Sequence, residues 1–432
     1  MRISSSLLFQ TGLNSINAQQ SDLMHLFQQI GSGRRMVTPA DDPLGASQAI
    51  NIRQSQTLNA RYAENRNVAN INLGTEENTL NTVTLLMQDI KTRLVEAGNG
   101  TMSDADRKTL ATVLKDARTN MLNLANATDG NGQYLFSGSK GATAAFSDAG
   151  EYLGDNAQRL IQVDQTRQME SSDVGSDVFA RATPGITTYV TAAGTVFGQA
   201  AANAGTGIIS TASVYDASQT NPNYSFQLQF ENADAADPAS PVVYRIVVLD
   251  GDGNTVEYDS AELGFGWEDT HSYDPDGENL IKMPFGVQVK MSGAPQAGDT
   301  FSVESAASTN MNIFNTLDSV IAALDTPHAA NPAAQAHFQN VLASAIQRID
   351  INYDNVLTVR SSIGARMNEL EALDANGALR DLAYRQQISS LEDLDYYTAT
   401  TQLELRKSAL EGATLAFRKI QSISLFAIGS GR

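Results

Sequence analysis

The sequence predicts a mainly α protein with an inserted β domain, in which N- and C-terminal segments build a long helical rod and coiled coil around a β-rich central insertion. Three observations carry this reading. Both ends of the 432-residue chain bear apolar stripes at coiled-coil spacing, the segments inside them keep helical periodicity, and the middle third changes to period two.

At the N-terminus Phe9, Leu13, Ile16, Gln20, Leu23, Phe27 and Ile30 alternate spacings of four and three, which keeps one stripe turned toward a partner helix. A glycine and proline break follows, from Gly31-Ser32-Gly33-Arg34-Arg35 to Pro39-Ala40-Asp41-Asp42-Pro43. Asp42 suits an N-cap and Pro43 the first helical position, where its missing donor costs nothing, so a long helix starts near 43. Leu80, Val83, Met87, Ile90, Leu94 and Ala97 carry it toward 97, and Gly98-Asn99-Gly100 ends it. Ser103 opens a second helix, with Asp104 and Asp106 at the positive end of its dipole and Leu110, Leu114, Ala117, Met121 and Leu124 on one face. Asp129-Gly130-Asn131-Gly132 closes it.

From about 133 the pattern is that of strands. Tyr224, Phe226, Leu228 and Phe230 alternate with polar residues, as do Phe285, Val287, Val289 and Met291, while 182–220 is rich in small residues and predicts loops or short strands. Asp250-Gly251-Asp252-Gly253-Asn254 has the start of a calcium loop but lacks the rest: Thr255 stands where the turn needs Gly, and Ala261 where a bidentate Glu belongs. It reads as a hairpin turn between Val247-Val248 and Val256-Tyr258. Helix returns near 309, and Leu342, Ile346, Ile349, Tyr353, Val356, Arg360, Ile363, Met367 and Leu370 hold the four-three alternation, interrupted by Arg360. A helix of about 40 residues at about 1.5 Å per residue is about 60 Å long, so this part predicts a rod. The C-terminal stripe is Tyr396, Ala399, Leu403, Arg406, Leu410, Ala413, Phe417 and Ile420. Gln20 and Arg406 either fix register or sit at the edge of their stripes.

Three regions follow: 1–42 with 391–432 as a terminal coiled coil, 43–140 with 309–390 as the helical rod, and 141–308 as the β-rich outer insertion, either one domain or a hairpin over 141–180 followed by a domain over 181–308. Terminal stripes without partners are expected to stay largely unfolded until assembly, which adds ordering entropy to the cost of binding.

Composition narrows function. With 29 basic and 48 acidic residues the net charge is −19, which argues against nucleic acid or anionic lipid as a partner. Cysteine is absent, removing thiol catalysis, thiolate metal sites and disulfides. The N-terminus lacks the apolar core of a cleaved signal peptide, and no apolar run is long enough for a membrane span. His25, His271, His328 and His337 have no partners at metal-ligand spacing, and neither a nucleophile elbow nor a phosphate loop occurs, so no metal, cofactor or enzymatic activity is expected.

Five stretches carry a resemblance: Met1-Arg2-Ile3-Ser4; Gly33-Arg34-Arg35 through Pro39 to Asp41-Asp42-Pro43; Gly132-Gln133-Tyr134-Leu135-Phe136-Ser137-Gly138; Tyr152-Leu153-Gly154-Asp155; and Leu391-Glu392-Asp393-Leu394-Asp395-Tyr396 with Ser424-Leu425-Phe426. On these the chain resembles the flagellin superfamily of bacterial axial proteins, and within it the hook-filament junction proteins. The tail Ala427-Ile428-Gly429-Ser430-Gly431-Arg432 departs from that pattern, and 180–308 matches nothing in it. The resemblance implies terminal helices that line the inner wall of a tube, a β domain that faces outward, and a structural adaptor outside the cell in the bacterial flagellum. It further implies export by the flagellar type III apparatus on an uncleaved signal and assembly as a ring of copies. The neighbours would be another hook-associated protein on the hook side and flagellin on the filament side, with an export chaperone near the C-terminal helix. The alternatives are a filament-forming flagellin, or a non-flagellar secreted adhesin or enzyme on a similar rod. The candidate assembly residues are Phe9, Leu13, Ile16, Leu23, Phe27 and Ile30 at one end and Leu403, Leu410, Ala413, Phe417 and Ile420 at the other. Gly33, Arg34, Arg35, Asp41, Asp42 and Pro43 form either subunit contacts or a solvated loop with a helix cap.

Overall fold

A computed structural model describes residues 5–181, 188–195, 197, 203–234, 236–237, 239–260, 264–327 and 331–429. The fold is mostly helical, with the N- and C-terminal helices packed together and a β-sheet insertion in the middle of the chain. It divides into two compact units. One holds Met1–Arg66, Val163–Gln165 and Glu371–Arg432, the other Asn67–Gln162 and Thr166–Leu370.

The first unit is built from α1 (Ser5–Ser32), the start of α2 (Pro43–Ala97), the end of α5 (Pro332–Glu392) and α6 (Tyr396–Gly429). Here α2 and α5 are joined by polar groups as much as by apolar ones. Asn59 Nδ2 donates to the Gly377 carbonyl at 2.9 Å, and Gln56 reaches Asp381 at 2.9 Å. Buried Arg66 bonds Asp374 at 2.5 Å and the Val163 carbonyl at 2.9 Å, and Arg380 grips Asp164 with two bonds of 2.7 and 2.8 Å. Paired in this way, the guanidinium of Arg66 can be buried without an uncompensated charge.

In the second unit, the α2 residues Leu80, Val83, Met87, Ile90, Leu94 and Ala97 are buried, as are Ile349, Val356, Ile363 and Leu370 of α5. The interrupting Arg360 turns out of that stripe to Glu77, 2.7 Å away on α2. α3 (Asp104–Ala125) starts with a full capping box, in which Ser103 and Asp106 satisfy each other's backbone N–H groups. It packs on α4 (Ile313–Asp325), whose N-cap is Asn312. The helical return expected from 309 is therefore two helices, and α5 begins at Pro332 with Asn331 accepting from the Ala333 N–H at 3.1 Å.

Between α3 and α4 the chain first makes an aromatic corner. Phe136, Phe146, Phe179 and Phe314 meet ring to ring, and the Tyr152 hydroxyl donates to the Phe136 and Asp155 carbonyls at 3.1 and 2.8 Å. The stretches 134–138 and 152–155 thus close on each other. A hairpin of β1 (Leu160–Gln162) and β2 (Gln168–Glu170) and a single π-helical turn, Ser176–Ala180, follow.

The β insertion holds β3 (Tyr189–Ala193), β4 (Ile208–Ile209), β5 (Ser213–Val214), β6 (Ser225–Asn232), β7 (Val242–Leu249), β8 (Thr255–Val256), β9 (Asp259–Ser260), β10 (Phe265–Gly266), β11 (Thr270–Ser272), β12 (Asn279–Lys282), β13 (Val287–Ser292) and β14 (Thr300–Ser305). One antiparallel sheet runs β11-β7-β6-β14-β3 with β8 on β7; a second runs β12-β13-β4 with β5 also on β13; β9 and β10 pair separately. Phe226, Leu228, Phe230, Ile246 and Val248 from the first and Ile281, Val287, Val289 and Met291 from the second share one core. Alternation explains this, because residues two apart along a strand point to the same face. The Asp250–Asn254 run is the β7–β8 hairpin turn, in which the Asp250 N–H donates to Asn254 O at 2.9 Å. Phe285 lies in the β12–β13 turn and not in the strand, with φ +60 and its ring 4.8 Å from that of Tyr224. Residues 182–187 and 198–202 of the small-residue stretch lie outside the described residues.

Side-chain amides on α5 seat this part of the chain. Asn340 donates to Gly207 O and accepts from the Ile209 N–H, both at 2.9 Å, and Gln347 donates to Tyr189 O at 2.7 Å. Buried Arg348 donates to Asn310 O at 2.7 Å and lies over the Phe197 ring.

Candidate assembly surface

Among the described α1 residues, Gly12, Ile16, Gln19, Leu23, Leu26 and Ile30 form a covered or half-covered line, again in four-three alternation, with His25 and Gln29 half-buried beside it. Leu26 is 5% exposed. On α6 the corresponding set is Ala399, Leu403, Leu410, Ala413, Thr414 and Phe417. The two helices pack antiparallel, and three contacts set their register. The Phe9 and Phe417 rings are 5.1 Å apart, Arg406 pairs with Asp22 at 2.5 Å, and the Tyr396 hydroxyl donates to Ile30 O at 3.4 Å. A Cβ on Gly12 would stand 2.8 Å from the Phe417 ring, so the absence of a side chain there lets the ring lie against α1. Arg406 lies at the rim of the helix pair, exposed with its partner.

This covered stripe differs from the one the spacing picks out. Ile16, Leu23 and Ile30 are common to both, but Phe9, Leu13 and Phe27 remain 46, 37 and 54% exposed, and Met24 is exposed beside them. α1 therefore has two apolar flanks on either side of the 16-23-30 line. Gly12, Gln19 and Leu26 line the flank that is covered; Leu13, Gln20 and Phe27 line the one left open. Periodicity alone could have found the second flank, since Gly12, Gln19 and Leu26 repeat every seven residues, but Gly and Gln hide it. The side chain of Ile420, the segment Met1–Ser4 and the side chains of the Ser424-Leu425-Phe426 ending lie outside the described residues.

The loop from Gly33 to Pro43 ties this helix pair to α2 and α5. Gly33, at φ +70, ends α1 in a left-handed conformation that suits glycine. Its carbonyl accepts from the Leu394 N–H at 3.0 Å, Arg34 bridges to Asp393, and the Arg35 N–H donates to Glu392 O at 2.7 Å. The Arg35 guanidinium bonds Leu391 O at 2.9 Å and Asp42 at 3.3 Å. Asp42 Oδ1 accepts from the Gly45 N–H at 2.9 Å, which caps α2 ahead of Pro43. Asp41 accepts from the Thr38 and Val37 N–H groups, both at 2.9 Å, and His25 Nε2 lies 3.0 Å away. Those bonds, the Thr38 N–H first, hold its carboxyl down at about 2. Asp395 caps α6 in the same manner, its carboxyl lowered by the Thr398 hydroxyl at 2.5 Å. Arg53 with Glu392 completes the set. Sequence spacing marked the loop but not Glu392, whose partner Arg53 is distant in the chain, nor Asp395, although its cap to Thr398 is a local signal that could have shown it.

A helical pair formed by the two chain ends is what the resemblance to flagellin-type axial proteins implies, and here one of its apolar flanks is left open. The helical N-terminal region of bacterial flagellin matches residues 3–141. The flagellar hook-associated protein 3 of Escherichia coli K12 is 30% identical over 427 residues, 99% of each chain. The crystal structure of FlgL from Xanthomonas campestris covers 78% of this chain and 99% of its own with TM-score 0.61 and 27% identity. That of the flagellar junction protein FlgL from Legionella pneumophila covers 80% and 100% with TM-score 0.60 and 26% identity. The chain belongs to the flagellar hook-associated protein 3 family, a structural and not an enzymatic family, and is a component of the bacterial flagellum. Among the described residues no helix is long and apolar enough to cross a membrane.

Proposed function

We propose that this chain is the adaptor that joins the hook-associated zone to the flagellin filament, assembled as a ring of copies. Another hook-associated protein is its neighbour on one side and flagellin on the other. It leaves the cell through the flagellar type III apparatus, accompanied by a chaperone that contacts its C-terminal helix. The observation that carries the reading is the open flank of α1: Leu13 and Phe27, with Met24 beside them, stand exposed on a helix whose other flank α6 already covers. Burying each such side chain fully contributes about 1.5 to 3 kcal/mol, which offsets the entropy of ordering the chain ends. Residues 1–42 with 391–432 are in this reading the assembly domain, 43–140 with 309–390 the rod, and 141–308 the outer part. Head-to-tail contacts close into a ring or propagate according to their rotation, so an adaptor needs unlike faces for unlike neighbours. The loop residues Gly33, Arg34, Arg35, Asp41, Asp42 and Pro43 act as a brace within the chain, because their bonds are made to it.

Immunogold microscopy of intact flagella with antibody to residues 180–308 tests this. A single band at the boundary of hook and filament is expected. Label along the whole filament would make the chain a filament subunit, and absence of label would overturn the placement.

A further inference from the structure

The apolar seam of α2 contains one acid. Ala69, Leu73, Glu76, Leu80, Val83 and Met87 follow at spacings of four and three, and all are buried, Glu76 at 0% exposure. Its carboxylate oxygens accept from the Asp173 N–H at 3.0 and 3.3 Å. The Asp173 carboxylate is itself paired with Arg366 of α5, which is also buried and whose Nη1 donates to Glu170 O at 3.3 Å. Three charged groups are thus enclosed together, two acids and one base. Glu170 lies at the rim, 3.7 Å from Arg366, and Asp177 adds a further negative charge near Asp173. The neighbouring Glu77 faces the other way, to Arg360. Arg366 can balance one carboxylate; the second is left in a place that water does not reach, where an unpaired charge is costly.

We infer that a single proton held by the Glu76–Asp173 pair keeps the segment 166–181 docked on α2 and α5, making that docking a pH-sensitive latch. The segment has little regular structure of its own. It consists of the short strand β2, a link through Asp173 and one π-helical turn, a geometry that is rare and weakly self-sustaining. It is held by the pairing of β2 with β1, and by the Ser171 N–H on Arg159 O and the Gly175 N–H on Phe136 O, both at 2.8 Å. It is also held by Arg366 and Glu76 at Asp173, by Asn355 Nδ2 on the Asp177 and Arg181 carbonyls at 2.8 and 3.2 Å, by Phe179 in the aromatic corner, and by an exposed pair of Arg167 with Glu369. Its Met169, Val174 and Val178 are buried. Burial pushes the Glu76 carboxyl up from 4.5 to about 8, and burial likewise raises that of Asp173. An acid whose docked value exceeds its undocked one favours docking below the undocked value. That advantage is lost as pH rises between the two, and levels off above the docked value. The window is therefore about pH 4.5 to 8.

Hydrogen exchange of the full-length chain, read as protection factors between pH 5 and 9, tests the latch. Amides of 166–181 should lose protection by up to about tenfold per pH unit to pH 8 and then level. Glu76→Gln, neutral at every pH and close in size, should flatten the profile. Peptides from Ser225–Leu249, in the same unit but remote from the acid pair, should not follow it. A flat wild-type profile, a Gln variant with the wild-type slope, or an equal fall in the control peptides would each overturn the proposal. If Glu76→Gln does not fold, Asp173→Asn serves. With Arg366 to itself, Glu76 should ionise at lower pH and the profile should level earlier; a profile unchanged from wild type would equally overturn the latch.

Discussion

The first unit, Met1–Arg66 with Val163–Gln165 and Glu371–Arg432, holds 13 basic and 13 acidic residues, whereas the second, Asn67–Gln162 with Thr166–Leu370, holds 16 basic and 35 acidic. The entire net charge of −19 belongs to the second. Within it, residues 216–278 contain 14 acids against Arg245 alone. The large apolar side chains divide in the opposite sense. In the second unit Phe226, Phe230 and Phe301 are buried in the shared core of two sheets; in the first, Phe9, Leu13, Met24 and Phe27 are exposed on one helix. A strongly single-signed surface repels its own copies and stays solvated. A neutral surface with an apolar stripe does neither. The fold thus keeps its single-signed charge and its open apolar stripe in different units, so that neither property weakens the other.

Single substitutions should affect the two units differently. The largest effect is expected from Phe27→Asp, which should abolish incorporation into flagella while changing monomer stability by no more than about 0.5 kcal/mol. Complementation of a strain lacking the chain, scored by filaments, checks the first part, and denaturant unfolding the second; normal filaments would remove the open flank from the assembly surface. Phe226→Ala should do the reverse, destabilising the second unit by about 3 to 5 kcal/mol as a core cavity does, and leaving the α1–α6 pair unaltered. Calorimetry resolves this, and an unchanged transition would mean that the insertion has no true core. The smallest effect is expected from Arg406→Ala. This pair lies at the rim, so its loss should cost about 0 to 1 kcal/mol and diminish further with salt. A larger loss would show that one ion pair fixes the register of α1 on α6.

Local signals in the sequence were sufficient for the helices. Asp42 with Pro43, Ser103 with Asp106, and the long stripe from Leu342 to Leu370 all act within one or two turns, and the helices start or run where those residues place them. What periodicity could not decide was which flank of α1 its partner covers, because Ile16, Leu23 and Ile30 belong to both possible stripes. The alternation of β6 and β13 was legible for the same local reason. The sheet order β11-β7-β6-β14-β3 was not, since it depends on pairings such as Phe301 with Leu228 that are distant in sequence. Arg66 with Asp374 and Glu76 with Asp173 and Arg366 were hidden likewise: each residue taken alone resembles an ordinary surface charge on a helix.

The amides of Asn340 and Gln347 grip carbonyl oxygens and a backbone N–H of the insertion, not its side chains. Every residue type supplies the carbonyl, and every one but proline the N–H. Mutational drift in the strands of the insertion can therefore change their side chains while the mounting on α5 stays the same.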